Sequence, residues 1–589
     1  MKFSSRASDR WTPLSRRSQL SKRARVFVSL LAFFICGQQL ATAQLTDNGQ
    51  SDSIHGTVIN SVTREPVGHA LVYSPDNRFA TMTDSDGHFE FTLPKMANPE
   101  SAPGGKTEGA LIAAAMNRPD LLMARKPGFL ETGGGESTAS GDEITIALVP
   151  EALIVGRVSL PTTEAAERIQ VELYRRQVRE GRPHWVVAGS VTTRSNGEFR
   201  FSELPAGSYK LLTREMLDRD PLTFDPRGQL YGYPPVYYPA ASDFTTAGIL
   251  QVGAGKIFHA DLTVVRQPYF PVKVRVTNAP PGNGVNVIVS VQGHRGPGFA
   301  LGYNYQDQMI EGMLPNGSYT LEATTFGPVT ASGVTSISVH GGPFEGGRMA
   351  LVPDSHINVN VREEFTSLQE SNPVRVDYGL DRGNFTQMSN VSVMLQPADD
   401  FGQERGAMLQ PATKDHSLVL GNVQPGRYWV RFDAPRGYVA SATSGGVDLL
   451  HHVLVIAPGA ATPAIEVVLR DDSAEISGTV EEIVNRHQRD TSAAISSLRP
   501  YSPGAHIYLV PLPDGTGQFR EAWITQDGSF TSPPLSPGSY RVLAFERDVE
   551  ELEYHNPEAM RAYDGKGPVV RLVAGQKERL QLHLISTGD

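Results

Sequence analysis

Histidines and acids are the groups that metal or acid–base chemistry would use in this sequence, and their spacing decides whether they can. His555-Asn556-Pro557-Glu558 sets an imidazole and a carboxylate three residues apart, the His-x-x-Glu half of a zinc site. A catalytic zinc takes three protein ligands, and His583, the one histidine that follows, falls in a closing strand. The quartet reads instead as a loop leading into a short helical turn over 556–564. Asp84-Ser85-Asp86-Gly87 opens like a calcium loop, but its glycine comes two positions early and the twelfth position holds no acid. A hairpin corner fits these residues better. His451-His452 are adjacent, and adjacent side chains on a strand leave on opposite faces, which argues against a shared ion. The sequence contains no Gly-x-Ser-x-Gly elbow, His-Glu-x-x-His, Gly-x-x-x-x-Gly-Lys or Rossmann fingerprint. The expectation is a protein without enzymatic activity, metal or cofactor, with a hydrolase of unrecognised site as the last-ranked alternative.

Binding character is strongest in Tyr231-Gly232-Tyr233-Pro234-Pro235-Val236-Tyr237-Tyr238-Pro239, followed by Phe244. Tyrosines on a proline-stiffened loop lose little entropy when they stack on sugar rings or peptides. Tyr231, Tyr233, Tyr237, Tyr238 and Phe244 are therefore the candidate ligand-binding residues, with surface glycans or other cell-envelope proteins as possible partners. The competing reading packs the same rings internally, as most aromatic clusters are packed. Val236, which would otherwise stand exposed beside the rings, favours packing. A Lys-to-Asn cross-link would need a lysine in an opening strand; only Phe270 to Val276 supplies one, Lys273, and the matching closing strand has no Asn or Asp.

The elements that would position these residues are set by a repeat. Leu204-Pro205-Ala206-Gly207-Ser208-Tyr209, Leu314-Pro315-Asn316-Gly317-Ser318-Tyr319, Val423-Gln424-Pro425-Gly426-Arg427-Tyr428 and Leu535-Ser536-Pro537-Gly538-Ser539-Tyr540 place their tyrosines 110, 109 and 112 residues apart. A second phrase precedes it: Thr83 to Phe91, Thr193 to Phe201 and Thr525 to Phe530 each carry an Asp-Gly or Asn-Gly corner followed by alternating residues, the mark of a hairpin. A third opens modules as Ile54-His55-Gly56-Thr57-Val58, Ile154-Val155-Gly156-Arg157-Val158 and Ile476-Ser477-Gly478-Thr479-Val480. Short alternating runs with turn residues every 8 to 12 positions or so describe antiparallel sandwiches. The predicted class is all-β, a tandem array of about five Ig-like or prealbumin-like sandwiches over 50–150, 151–266, 267–353, 354–472 and 473–589. Helix signals are limited to 556–564 and Thr163 to Arg168. Segments 95–110 and 131–142 read as a polar insertion and a mobile loop.

Ahead of the modules, 1–43 has the parts of an export signal. Lys2, Arg6, Arg10, Arg16, Arg17, Lys22, Arg23 and Arg25 precede an apolar run from Val26 to Cys36, and Ala41-Thr42-Ala43 offers cleavage before Gln44. The run is shorter than the roughly 20 residues of a membrane span, and Ile35 before Cys36 argues against lipidation. Sec export is the first choice, with the twin-arginine route open through Arg16-Arg17. Cys36 is the one cysteine, so the mature part has no disulfide or thiolate site. With 45 Lys+Arg against 62 Asp+Glu after residue 43, its net charge of −17 gives no general attraction for nucleic acid or anionic lipid. No second apolar run reaches spanning length, so the expected location is exported: periplasmic, cell-surface or extracellular.

Ile54-His55-Gly56-Thr57-Val58 with Pro66-Val67-Gly68-His69-Ala70-Leu71-Val72, the Asp86-Gly87-His88-Phe89 hairpin and Met123-Ala124-Arg125-Lys126-Pro127-Gly128-Phe129 resemble the carboxypeptidase regulatory-like domain. The resemblance is good in the first module, fair in the second and fifth, and architectural in the third and fourth. It implies a prealbumin-like seven-stranded sandwich without catalytic residues, common in secreted bacterial proteins, and a scaffold or interaction role. Where the family has its Pro-Gly-Tyr turn, the first module carries an insertion.

Overall fold

The computed structural model describes residues 53–585 except 75–79, 93–121, 131–135, 141–142, 162–165, 167, 219–227, 328–329, 367–390, 402–408, 412–416, 484–504, 514, 526, 547 and 550. The leader expected over 1–43, the insertion expected over 95–110 and most of the turn expected over Thr163 to Arg168 lie outside these residues.

One topology recurs five times. An opening strand pairs antiparallel with the strand after the hairpin corner and parallel with the closing strand. Ser53–Asn60 lies between His88–Thr92 and Glu143–Leu148, and Ala152–Ser159 between Glu198–Leu204 and the pair Ile257–His259 and Leu262–Thr263. Gln267–Thr277 lies between Met309–Pro315 and Phe344–Ala350. Ser355–Glu364 follows with Leu418–Val423 and Ile465–Arg470, and Glu475–Val480 with Ser529–Thr531 and Lys577–Leu582. The third and fourth units lack the opening phrase and keep the pairing. A second sheet faces each of these, and each pair encloses its own apolar cluster, centred on Val58, Ile154, Val272, Ile357 and Ile476 respectively. Each such buried aliphatic side chain contributes about 1.5–3 kcal/mol.

The repeated phrases have physical causes. A Cβ on Gly56, Gly156 or Gly478 would lie 2.0, 2.0 or 1.9 Å from the carbonyl oxygen of Ile144 on the parallel strand, of Ala260 between the two parallel segments, or of Leu580 on the parallel strand. On its other side it would meet the ring of Phe89, Phe199 or Phe530 at 2.7, 2.7 or 3.0 Å. The hairpin phenylalanine covers the opening glycine, so both residues recur together. At the corner, Asp84 Oδ1 accepts from the backbone N–H of Asp86 and His88 at 2.9 and 2.8 Å, and Gly87 has φ +76°. The turn uses the carboxylate that a calcium loop would need. Each phrase tyrosine donates its hydroxyl to the carbonyl four residues upstream: Tyr209 to Pro205 at 2.5 Å, Tyr319 to Pro315 at 3.0 Å, Tyr428 to Gln424 at 2.8 Å and Tyr540 to Ser536 at 3.0 Å. This bond closes the turn onto the core in the manner of a tyrosine corner.

Two expectations need correcting. Segment 131–142 contains a strand, Glu136–Ser140, because the closing strand Glu143–Leu148 offers it a free edge. The sheets also do not stop at the module joints. Leu230–Tyr233, in the second unit, pairs with Gln267–Thr277, the opening strand of the third, so the hairpin it forms with Met216–Leu217 extends the next unit's sheet.

Candidate functional site

The tyrosine segment leaves the second unit after Gly207–Thr213 and folds back over the outer face of that unit's second sheet. Tyr174, Lys210 and Val187 share a register row on this sheet, and alternation would turn Lys210 to solvent. The segment covers it. Tyr237 is 3% exposed, its hydroxyl donating to Pro297 O at 2.6 Å, and Phe244 is 2% exposed. The Phe244 ring centroid lies 5.0 Å from Tyr174 and 6.2 Å from Trp185. Burial raises the Tyr237 hydroxyl pKa. Lys210, itself 4% exposed, donates to Phe244 O at 2.7 Å and Thr245 O at 3.0 Å, with its ammonium over the Trp185 and Phe244 rings. Burial depresses its pKa, and the rings and carbonyls together replace part of its hydration.

The remaining candidates are half-buried and face elsewhere. Tyr231 lies under the Arg266 guanidinium at 4.2 Å. Tyr233, Val236 and Tyr238 pack against the second unit's core, Tyr238 with its ring 6.3 Å from Phe258. The five residues therefore belong to different surfaces of one packed segment, and they do not converge on a single platform.

The same outer faces are where distant units meet. Phe401, from the fourth unit, packs with its ring centroid 5.1 Å from Phe244 in a tilted contact and 5.7 Å from Tyr174 edge-to-face, and Asp400 O accepts from Trp185 N at 2.8 Å. The long hairpin of the second unit, Gln170–Arg179 and Arg182–Thr192, carries Glu180 and Gly181 at its tip. There Glu180 binds Arg431 of the fourth unit and accepts from the Tyr554 hydroxyl of the fifth at 3.3 Å. Arg182 lies 3.8 Å over the Trp429 ring, and burial pushes its pKa down to about 10. Arg176 pairs with the buried Glu553, and Arg175 with Glu551 at 3.3 Å. Between the third and fourth units, Arg295 holds Glu322 and Asp399. Between the second and third, Glu215 accepts from Ala300 N at 2.7 Å, and burial pushes its carboxyl up to about 7. The second unit thus touches the third, fourth and fifth. Nothing in the sequence marks Glu180-Gly181 or Asp399-Asp400-Phe401 as partners, because the residues that join are hundreds of positions apart and individually ordinary.

The histidine candidates are part of this joining. His555 stacks on Trp429 at 6.5 Å and 11° while part of its ring stays exposed, and partial desolvation, helped by the Arg182 charge, lowers its pKa. Asn556 caps the helix Pro557–Met560 as the sequence suggests, while Glu558 points to solvent. His451 bridges the fourth and fifth units, with Nδ1 2.7 Å from Asp448 Oδ2 and Nε2 2.9 Å from Gly515 O. His451 and His452 lie on a turn rather than on the strand expected, because Asp448 accepts from Leu450 N and His452 N. Among the described residues no three His, Cys, Asp or Glu side chains form a group fit to hold a metal ion.

Sheets, corners and cores define an all-β tandem array of Ig-like sandwiches. No helix among the described residues is long and apolar enough to cross a membrane. No family model matches the chain, and no curated protein does. Among solved structures it is similar to a streptococcal ancillary pilin at 13% identity, covering 51% of this chain and 100% of that one with a TM-score of 0.17. It is also similar to the Bacillus anthracis TIE protein at 10% identity, covering 90% and 99% with a TM-score of 0.14. GBS52, the minor pilin of Streptococcus agalactiae, matches at 12%, 35% and 97%, with a TM-score of 0.15. Scores this low leave the fold resting on the sheets themselves.

Proposed function

We propose that this chain is an exported, non-enzymatic scaffold or interaction protein of the carboxypeptidase regulatory-like kind, acting at the cell surface or in the periplasm. Its modules are 50–150, 151–266, 267–353, 354–472 and 473–589. The observation that carries the reading is the hairpin tip at Glu180-Gly181, which engages the fourth and fifth units at once. A spacer needs no contact between its second and fifth modules. A body that presents fixed surfaces does, because such contacts remove the hinge freedom that separate domains ordinarily keep. The seams combine half-buried contacts, such as Arg182 over Trp429 and Arg176 with Glu553, with exposed ion pairs such as Glu180–Arg431, which are worth little by themselves.

The test is to express 44–353 and 354–589 as separate chains. The reading expects them to copurify as one complex, since the seams to Asp399, Phe401, Arg431, Glu553 and Tyr554 all cross that cut. Two soluble fragments that never associate would overturn the fixed-body reading. Export is tested separately by mass spectrometry, which should find Gln44 at the amino terminus; an intact Met1 on folded exported protein would refute it.

A further inference from the structure

Among the described residues, one strongly exposed aromatic side chain stands beside a cleft that suits a ligand. Trp523 is 64% exposed, whereas Trp185 is 7% exposed and Trp429 lies beneath Arg182. An indole left open forgoes a large burial gain. Trp523 ends the strand Arg520–Trp523, which forms the edge of the fifth unit's larger sheet. Ala522 and Ile524 point into the core at 1% and 7% exposure, so alternation sends Trp523 outward. His506, its cross-strand partner, supports the indole with ring centroids 5.2 Å apart and is itself bonded through Nδ1 to the Glu521 carboxylate. Beside the indole lies a cleft of about 410 Å³ lined by Glu521, Trp523, Thr525, Ser529, Thr531 and Pro533.

From this arrangement we propose that Trp523 is the stacking platform of a site for a neutral pyranose within a β-linked glucan-type chain. A hexopyranose with equatorial hydroxyls presents axial C–H groups on a flat face, which an indole takes, and hydroxyls at its rim, which a carboxylate and hydroxyl side chains take. The lining holds Glu521 and neither lysine nor arginine, in a chain of formal charge −10, so phosphate and other anionic ligands are disfavoured. A peptide adding to the edge strand is the rival occupant. The edge offers four residues and then turns into the opposite sheet through the Ile524–Phe530 bridge, which leaves few main-chain bonds for strand addition.

Intrinsic fluorescence of the exported chain, titrated with cellohexaose to about 10 mM, tests this, since that concentration fills about nine-tenths of a site whose dissociation constant is about 1 mM. The expected result is a blue shift of emission and protection from acrylamide quenching. Trp523→Ala should abolish both with an unchanged melting temperature, and Trp523→Phe should retain binding weakened several-fold. An unaltered spectrum at that concentration overturns the proposal. So does an equal response in Trp523→Ala, or a response to an extended octapeptide with none to the hexaose.

Discussion

Gly181 offers the sharpest perturbation of the joint between the second and fifth units. Its φ is +69°, and a Cβ there would meet three ring carbons of Tyr554 at 2.7 Å. Two costs follow for Gly181→Ala. The left-handed backbone alone costs about 1–2 kcal/mol for a residue with a Cβ. The clash then moves Tyr554, which stacks on Phe519 with ring centroids 4.1 Å apart at 5° and donates to Glu180. Losing the stack costs about 0.5–1.5 kcal/mol and losing the hydrogen bond about 1 kcal/mol. Gly128 separates the two effects. It has φ +89° and nothing within 4 Å of its would-be Cβ, so Gly128→Ala carries strain without a clash. About 2 kcal/mol should therefore distinguish the variants.

Unfolding of several modules need not be two-state, so the assay is local. Amide exchange across 551–556 should quicken about 30-fold in Gly181→Ala, the equivalent of about 2 kcal/mol in opening free energy. The same amides should be unaffected in Gly128→Ala. If the two variants exchange alike at 551–556, Tyr554 does not rest on the hairpin and the joint is not formed as described.

Other expectations concern the seams and the covered sheet face. Tyr237→Phe should cost about 1 kcal/mol by deleting the bond to Pro297 O, and Tyr237→Ala about 3–5 kcal/mol as a buried aromatic truncation; a neutral Tyr237→Ala in thermal melts would show the ring is not packed. The Glu215 carboxyl, raised from 4.5 to about 7 by burial, keeps its proton on folding, so its contribution is complete below about pH 4.5 and lost as pH rises through about 7. Glu215→Gln should thus melt higher than the parent at pH 8 and alike at pH 4.5; an equal difference at both would refute the assignment. His451 is raised above its ordinary 6.5, first by the bond to Asp448. Its stabilising charge is therefore present below that value and lost as pH rises through the folded pKa. His451→Gln should flatten the fall in melting temperature between pH 6 and 8, and an unchanged slope would exclude a charged His451.

The repeat was legible because its causes are local. The corner side chains bond nearby amides, Asp84 two and four residues on and Asn196 and Asp527 two on, the phrase tyrosines bond a carbonyl four residues back, and the opening glycines sit under phenylalanines fixed by the same hairpin. Such bonds restrict residue types at fixed offsets, and the offsets survive even where, as at Ser355–Glu364, the opening phrase itself is gone. The tyrosine segment was legible as aromatic and stiff, but not as a cover for Lys210, because strand alternation places Lys210 in water until a loop some thirty residues later folds over it. Trp523 was open to the opposite inference: Ala522-Trp523-Ile524 alternates, and among the described residues nothing later in the chain covers the outward residue.

The unread part is the joining of units, and energetics explain why. Arg175–Glu551 leaves Glu551 62% exposed and belongs to the class of surface pairs worth about 0–1 kcal/mol. Arg176–Glu553 leaves 30% and 10% of the two side chains exposed. Removing one partner there strands a charge away from water, a loss larger than the pair's own net gain. Arg182 over Trp429 follows the same rule, since its half-buried guanidinium is tolerated in the seam only while its neighbours are in place. The seam therefore behaves as a unit whose members couple when altered together. No single residue in it bears a signature that sequence could display, since every one of them would be unremarkable on an open surface.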